Sequence, residues 1–233
     1  MSKIISSKPI GLIRSGTDRK KFLLKSNIVL LLALLMMIFI IPIVPIKDSH
    51  LTRVLLGIVV VSGLFAADFT RTAFRVLLTF STLVITVTLL NLVLHDSHAL
   101  SIITFVLNTL FFIVVTIALV AHVASAKEVY GSTLLCAVNS YLLLGFTLSL
   151  LFLIMDLFSP GSFSQVDSGD GSFSNFMYYG FVTLTTLGYG DITPDTAAAR
   201  SLSTFTALFG QLYLVIIMAL IIGKFLKGKR EGE

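Results

Sequence analysis

A glycine-containing stretch in the C-terminal third of the chain could coordinate a cation through its backbone. Thr185 to Asp191 read Thr-Thr-Leu-Gly-Tyr-Gly-Asp, with Gly188 and Gly190 two positions apart. Glycine reaches left-handed backbone angles that a β-branched residue avoids. An extended segment with alternate left-handed residues turns successive carbonyl oxygens to the same side. Four such segments around an axis could replace the hydration shell of a potassium ion.

The composition places this stretch in a membrane protein. Hydrophobic residues make up 56% of the chain and charged residues 12%, whereas an average soluble protein has about 25% charged residues. The net charge of +5 does not indicate nucleic-acid binding, because the basic residues flank apolar spans rather than accompany base-stacking groups. The single cysteine, Cys136, excludes an intrachain disulfide and a cysteine metal cluster.

Apolar stretches predict six transmembrane helices, since crossing about 30 Å of hydrocarbon takes roughly 20 helical residues. They run near residues 27–46, 51–67, 73–94, 99–123, 132–157 and 200–226. The second, at about 17 residues, is the shortest. A further apolar segment, Phe173 to Leu184, is too short to cross a bilayer and suits a re-entrant helix.

The distribution of basic residues predicts that both termini are cytoplasmic. If the six spans are correct, all of the 17 lysines and arginines except Lys47, Arg53 and Arg200 lie on the same side of the membrane as the N-terminus. Cytoplasmic flanks carry such an excess of basic residues. The compact chain, with no regulatory domain after the last span, favours a prokaryotic plasma membrane.

The stretch from Thr185 to Asp191 resembles the signature of the tetrameric potassium channel family, whose selectivity filters read Thr-X-Gly-Tyr-Gly. The resemblance implies a homotetramer, because one chain supplies one quarter of a filter. Leu187 stands where the family usually has valine or isoleucine, but it would contribute only its carbonyl. Gly190 would shape the outer mouth. The implied potassium ligands are the Thr186 hydroxyl and the backbone oxygens of Thr186, Leu187, Gly188 and Tyr189.

The residues before the filter extend this resemblance. Phe173 to Leu184 stands where the family has its pore helix, and Tyr178 and Tyr179 stand where an aromatic pair braces the filter. We expect a contact of the Tyr178 hydroxyl or the Tyr189 ring near Asp191 to hold the mouth rigid. Thr185 and Asp191 belong to the same predicted support. The implied fold is an all-α membrane protein of six transmembrane helices, with a re-entrant pore helix and selectivity-filter loop between the fifth and sixth.

Two residues of the last span are candidates for gating and for the central cavity. Gly210 falls where the family's inner helix often bends, although a helical glycine also permits close helix packing. Gln211 is polar at membrane depth, so we expect it to face a water-filled cavity rather than lipid. A hydrogen bond to another helix is the alternative.

The first four spans resemble the family only in their number. Residues 100–126 contain no lysine or arginine, so strong voltage dependence is not expected. Arg71 and Arg75 could form a small sensor, but we expect them to anchor the cytoplasmic interface beside Asp68. The predicted domains are a basic cytoplasmic tail (1–26), a four-helix domain resembling a voltage-sensor domain without gating charges (27–125), a pore domain (126–226) and a cytoplasmic C-terminus (227–233).

Three residues in a short external loop, His95, Asp96 and His98, could bind a divalent metal or sense pH. Polar residues in a turn are more often simply solvated, and this role is the less favoured interpretation.

No enzyme motif is present, since the chain lacks Gly-X-Ser-X-Gly, His-Glu-X-X-His and Gly-X-Gly-X-X-Gly. The predicted partners are further copies of the chain, membrane lipids and K⁺, with no other cofactor and no nucleic acid. A potassium-uptake transporter, the first alternative, usually carries four pore loops in one chain. A non-selective cation channel, the second, would typically lose Tyr189 or a filter glycine. The gating stimulus and any cytoplasmic regulator are not predicted.

Overall fold

The computed structural model describes residues 16–40, 43, 49–66, 69–94, 98–126, 129–166 and 173–230. This part of the chain forms seven α-helices and one two-stranded antiparallel sheet. The elements are α1 (Gly16–Ile40), α2 (Ser49–Ala66), α3 (Arg71–Val93), α4 (His98–Ser125), α5 (Gly131–Phe158), β1 (Phe163–Ser164), α6 (Phe173–Leu184), β2 (Thr193–Pro194) and α7 (Ala197–Arg230). The chain is therefore all-α, as predicted, apart from this small sheet.

Five of the described helices are long and apolar enough to cross a membrane: α1, α3, α4, α5 and α7. The sixth predicted span corresponds to α2, whose apolar part, Thr52–Ala66, is shorter than the other five. Length and composition thus support a multi-pass membrane protein with five spanning helices, and the sixth span remains a prediction. Helix α6 has the bounds predicted for the short apolar helix.

Three helix ends differ from the predicted spans. Helix α1 begins at Gly16, so residues 16–26 are helical rather than part of a tail, because lysine and arginine are good helix formers. The same helix ends at Ile40 rather than near residue 46, before the two prolines at 42 and 45, which disfavour helical backbone at the residues preceding them. Helix α7 continues to Arg230, so residues 227–230 are helical as well.

Helix α5 lies at the centre of the packing and contacts α1, α4, α6 and α7. Five residues separate the end of α4 from the start of α5, and α4 and α1 both pack against the α5 of their own chain. Fully buried phenylalanines fill these contacts: Phe111 and Phe112 of α4, Phe146 and Phe152 of α5, and Phe176 of α6. The four-helix domain and the region around α6 therefore share one core.

A buried polar node joins α1, α2 and α5. The Asn27 side-chain amide donates to the Ala66 carbonyl oxygen at 2.7 Å. The Asn139 amide nitrogen donates to the Asn27 carbonyl oxygen at 2.9 Å and to its Oδ1 at 3.0 Å. Asn27 and Asn139 are both fully buried, so these bonds hold α1 in a defined position between α2 and α5.

Candidate functional site

The loop that follows α6 folds back onto the last turn of that helix. The Leu187 and Gly188 N–H groups donate to the Val182 carbonyl oxygen at 2.9 and 3.3 Å, and the Thr186 N–H donates to the Thr183 carbonyl oxygen at 3.0 Å. A helix leaves its last carbonyls without intrahelical partners, and the loop backbone supplies donors for them. The chain therefore leaves α6 in a defined direction without continuing the helix.

Left-handed residues alternate along this loop. The φ angles are +60° at Thr186, +55° at Gly188 and +79° at Gly190. This is the alternation that the two glycines predict, extended one step towards α6 by a threonine. A β-branched residue with positive φ is an outlier that its surroundings must support. Leu187 and Tyr189 are more than half exposed in the single chain, so its own helices leave the loop uncovered.

The outer end of the loop is tied to α6 by one charged hydrogen bond. The Tyr178 hydroxyl donates to Asp191 Oδ2 at 2.6 Å, and the Ile192 N–H donates to Asp191 Oδ1 at 3.1 Å. The bond to Asp191 raises the pKa of the Tyr178 hydroxyl to about 12. The same bond lowers the pKa of the Asp191 carboxyl. The expected contact between Tyr178 and Asp191 is present, and its role in supporting a filter stays a prediction.

The neighbouring Tyr179 points to other partners. Its hydroxyl lies 2.6 Å from the Ser203 Oγ of α7, and its ring packs edge-on against Phe152 and Phe163. The two adjacent tyrosines thus join α6 to the outer loop on one side and to α7 and α5 on the other. Ser203 and Phe163 were not predicted, because a serine inside an apolar helix gives no signal of its partner.

Gly210 marks the closest approach between α7 and α6. A Cβ atom at this position would lie 2.2 Å from the Leu184 carbonyl oxygen, which is a backbone atom that cannot move aside easily. Helix α7 is continuous from Ala197 to Arg230. Of the two predicted roles, close packing is therefore visible, and a hinge stays a prediction. Similar glycine contacts join α5 to α6, where Gly145 faces Phe181 and Gly180 faces Ser149.

Gln211 contacts the loop itself. Its amide nitrogen donates to the Thr186 hydroxyl oxygen at 3.3 Å. Both residues are exposed in the single chain, so they lie on the open side of α7. The expected water-filled cavity and the alternative bond to another membrane helix both stay predictions.

Lys224 of α7 is a further contact that the sequence did not predict. Its ammonium group donates to the carbonyl oxygens of Val123 and Ala124 at 2.6 and 2.8 Å. These carbonyls belong to the C-terminal end of α4, where a positive charge complements the helix dipole. The C-terminal half of α7 is thereby attached to α4.

The outer segments form a small frame around the loop. Strands β1 and β2 pair Phe163 with Pro194 and Ser164 with Thr193, and the Arg200 Nε donates to the Pro194 carbonyl oxygen at 3.2 Å. The frame joins the two ends of the segment made of α6 and the loop, because β1 precedes α6 and β2 follows the loop.

The remaining candidate residues are not gathered into a site. His95, Asp96 and Asp68 lie outside the described residues, as does the side chain of His98. In the described part of the chain, no cluster of three His, Cys, Asp or Glu side chains could hold a metal ion. Arg71 begins α3, and Arg75 follows one turn later on an exposed position.

An apolar cavity of about 710 Å³ lies between α1, α2 and α3. Its lining includes no residue of α6, α7 or the loop. The candidate functional site is therefore the loop and not this cavity.

Comparison with known proteins yields matches to this part of the chain. Residues 140–227 match the Ion_trans_2 family model, described as "Ion channel". The match begins in α5 and ends in α7, so it includes α6, the loop and the outer frame. The class that the apolar helices and this match support is a membrane ion channel.

Several proteins similar to this part of the chain are potassium channels by name. The chain is 30% identical over 102 residues to "Potassium voltage-gated channel subfamily A member 10" of Mus musculus and of Homo sapiens, which covers 42% of this chain and 19% of each relative. It is 29% identical over 102 residues to member 7 of the same subfamily from Homo sapiens, of which 22% is covered. The chain thus spans about a fifth of the length of these relatives. No solved structure matches the chain. These similarities support the potassium channel family and a non-enzymatic protein.

Proposed function

We propose that four copies of this chain form a potassium-selective channel that conducts K⁺ passively across a membrane. The alternating left-handed residues Thr186, Gly188 and Gly190 carry this proposal. Such a backbone directs successive carbonyl oxygens to one side, and potassium filters use rings of these oxygens to replace the ion's hydration shell. The implied ligands are the backbone oxygens from Thr186 to Tyr189 and the Thr186 hydroxyl.

The exposure of α7 supports the homotetramer. Only 17% of the apolar stretch of α7 is buried by its own chain. Phe205, Leu208, Phe209, Leu212 and Val215 are all more than two-fifths exposed on it. Four copies around an axis would cover part of this surface and enclose the loop, which otherwise leaves irregular backbone unprotected at membrane depth.

Six transmembrane spans are part of the proposal, with both termini cytoplasmic in a prokaryotic plasma membrane. The contacts between α1 and α2 support the sixth span. Asn27, in the first half of α1, bonds to Ala66, the last residue of α2, and the Phe22 and Phe65 rings lie 6.3 Å apart. Helix α2 therefore runs antiparallel to α1 and returns the chain to the side from which α1 starts.

The same channel is proposed to lack strong voltage dependence. Helix α4 carries no lysine or arginine, and steep opening requires several charges that move through the membrane field. The short connection between α4 and α5 keeps the four-helix domain beside the α5 of its own subunit.

Ion flux from the purified chain in liposomes tests the proposal. A potassium gradient is imposed, and flux of potassium, rubidium and sodium is compared with and without barium. Gly188→Asp is expected to abolish flux, because it places a charged side chain at a left-handed position in the filter. Gly131→Asp is the matched control: a Cβ there meets no atom within 4 Å, and an acid at a helix N-terminus is favourable.

The outcomes separate the proposal from its alternatives. Potassium-selective, barium-sensitive flux that Gly188→Asp removes and Gly131→Asp retains supports a potassium channel. Equal sodium and potassium flux contradicts selectivity and favours a non-selective cation channel. Uptake against the potassium gradient favours a transporter subunit.

A further inference from the structure

Gln211 reaches from α7 to the first left-handed residue of the filter loop. Its amide nitrogen lies 3.3 Å from the Thr186 hydroxyl oxygen. The neighbouring Gly210 brings the α7 backbone against Leu184, at the end of α6. Two consecutive residues of α7 thus place a hydrogen-bond donor beside the cytoplasmic end of the loop.

Thr186 needs this support more than the other loop residues do. It adopts φ +60° although it is β-branched, a combination that persists only where surrounding contacts hold it. Its N–H group is held by the Thr183 carbonyl oxygen at 3.0 Å. In the part of the chain that the structure describes, the bond from Gln211 is the only hydrogen bond of the Thr186 hydroxyl.

The direction of the bond determines what the hydroxyl can offer to a cation. A hydroxyl oxygen has two lone pairs and one hydrogen. When an amide N–H occupies one lone pair, the other lone pair and the hydrogen have fewer orientations left. A held hydroxyl therefore presents its free lone pair in a fixed direction. In an unheld hydroxyl the stiff χ1 angle fixes the oxygen position, but the hydrogen and the lone pairs rotate about the Cβ–Oγ1 bond.

We propose that Gln211 is a positioning residue for the innermost ion site, where it orients the Thr186 hydroxyl towards the pore axis and so strengthens cation binding at that site. The inference rests on the proposed channel function and on Thr186 as the innermost ligand. A glutamine that is merely solvated in a cavity would have no such effect, because its substitution would leave the hydroxyl of Thr186 unchanged.

Barium block tests the inference, because barium resembles potassium in size and carries twice its charge. Block by barium from the cytoplasmic side is measured on the full chain in planar bilayers. Gln211→Met keeps the side-chain length but removes the donor, and it is expected to weaken barium affinity about threefold to tenfold, the factor that corresponds to the net free energy of one hydrogen bond. Leu212→Met, next to it on the exposed side of α7, is the matched control and should stay within twofold of the unsubstituted chain.

A double-substitution cycle assigns the effect to the contact. Thr186→Val removes the hydroxyl and keeps the branched shape. In that background Gln211→Met should change barium affinity by less than twofold, since the acceptor is already gone. If Thr186→Val conducts no current, the same comparison is made by thermal unfolding. The increase in unfolding temperature with barium is then measured for the unsubstituted chain, the two single variants and the double variant.

Two results would overturn the inference: barium affinity of Gln211→Met within twofold of the unsubstituted chain, or factors that simply multiply in the double variant. Failure of the channel proposal itself looks different. In that case the unsubstituted chain carries no potassium-selective current and is insensitive to barium.

Discussion

Helices α5 and α7 flank the same loop, and both are long and apolar, but their own chain covers them very differently. Half of the apolar stretch of α5 is buried, against 17% of that of α7. Helix α5 packs against α1, α4 and α6, whereas α7 contacts its chain mainly through α6 and α5. Hydrophobicity alone does not distinguish them, because lipid and protein are equally apolar surroundings.

The difference separates two structural roles. Helix α5 carries a fully buried amide, Asn139, whose nitrogen donates to two oxygen atoms of Asn27 in the same chain. Helix α7 carries an exposed polar group, Gln211, that contacts the loop. The first arrangement belongs to a helix whose partners are all in one chain. The second belongs to a helix whose remaining partners are other copies of the chain or water.

The largest effect is expected from a substitution at Gly210, where the α7 backbone lies against Leu184 of α6. Gly210→Val should abolish potassium flux and lower the unfolding temperature, because its Cβ would collide with the Leu184 carbonyl oxygen and overpacking costs about 1–3 kcal/mol or more. Liposome flux and thermal unfolding measure the two effects. Gly223→Val on the same helix is the control, since a Cβ there meets no atom within 4 Å. Equal behaviour of the two variants would contradict the close packing.

The corresponding test on α5 is Asn139→Leu. The substitution removes the amide nitrogen that donates to the fully buried Asn27 Oδ1, so this oxygen keeps only the weaker Cys136 thiol donor at 3.4 Å. The net loss of one hydrogen bond costs about 0.5–1.5 kcal/mol. We expect a lower unfolding temperature with an unchanged ratio of potassium to sodium flux. Val138→Leu, at an exposed position beside it, should leave the unfolding temperature unchanged. A changed selectivity would mean that the node acts on the filter rather than on the subunit core.

The loop between the two helices is tested by Tyr178→Phe, which removes the hydroxyl that donates to Asp191. We expect less stable conduction and a higher pKa of the Asp191 carboxyl, because the bond is the main cause of its lowered pKa. Tyr141→Phe, whose ring packs against Tyr213 inside the subunit, is the control. Long recordings at constant external pH would show the difference.

The sign of the pH dependence follows from the two shifts. The lowered pKa of the Asp191 carboxyl means that the ionised carboxylate stabilises the folded loop. This stabilisation is complete above the ordinary aspartate pKa of about 3.9 and is lost as pH falls through the lowered pKa. The raised pKa of Tyr178, about 12, means that its contribution is complete below about pH 10 and is lost as pH rises towards 12. External pH between 5 and 9 should therefore leave this bond intact. If conduction became less stable within that pH range, as it is expected to do in Tyr178→Phe, this prediction would be contradicted.

The smallest expected effect concerns the far end of α7. Lys224→Met removes the donor to Val123 and Ala124, and a charge at a helix C-terminus contributes about 0.3–1 kcal/mol. A slightly lower unfolding temperature is expected, and Lys224→Arg should restore most of it because the charge returns. If Lys224→Met is as stable as the unsubstituted chain, α7 is even less attached to its subunit than the contacts indicate.

The local features were the most predictable from the sequence. The glycine spacing predicted the alternation of left-handed residues at Gly188 and Gly190, because few other residues adopt positive φ. The length of the apolar segment gave α6 its bounds. The helical conformation of residues 16–26 was not predicted, because lysine and arginine favour helices as well as cytoplasmic flanks.

The long-range contacts were not predictable. Asn27 and Asn139 lie 112 positions apart, and the Lys224 ammonium bonds to residues about 100 positions earlier. A single asparagine or lysine in an apolar helix indicates that some partner exists, but many partners are equally compatible with its chemistry. The packing of α1 and α4 against α5 decides between them.

The short connection between α4 and α5 also bears on how the protein is made. Because α5 begins soon after α4 ends and the two helices pack against each other, a newly inserted chain can complete the packing of α1 to α5 before it meets another copy. Insertion and subunit assembly then become separate stages of biogenesis. For the proposed tetramer, this order means that monomers with completed N-terminal cores would be present in the membrane before assembly, and the rate of assembly would depend on how often such monomers collide.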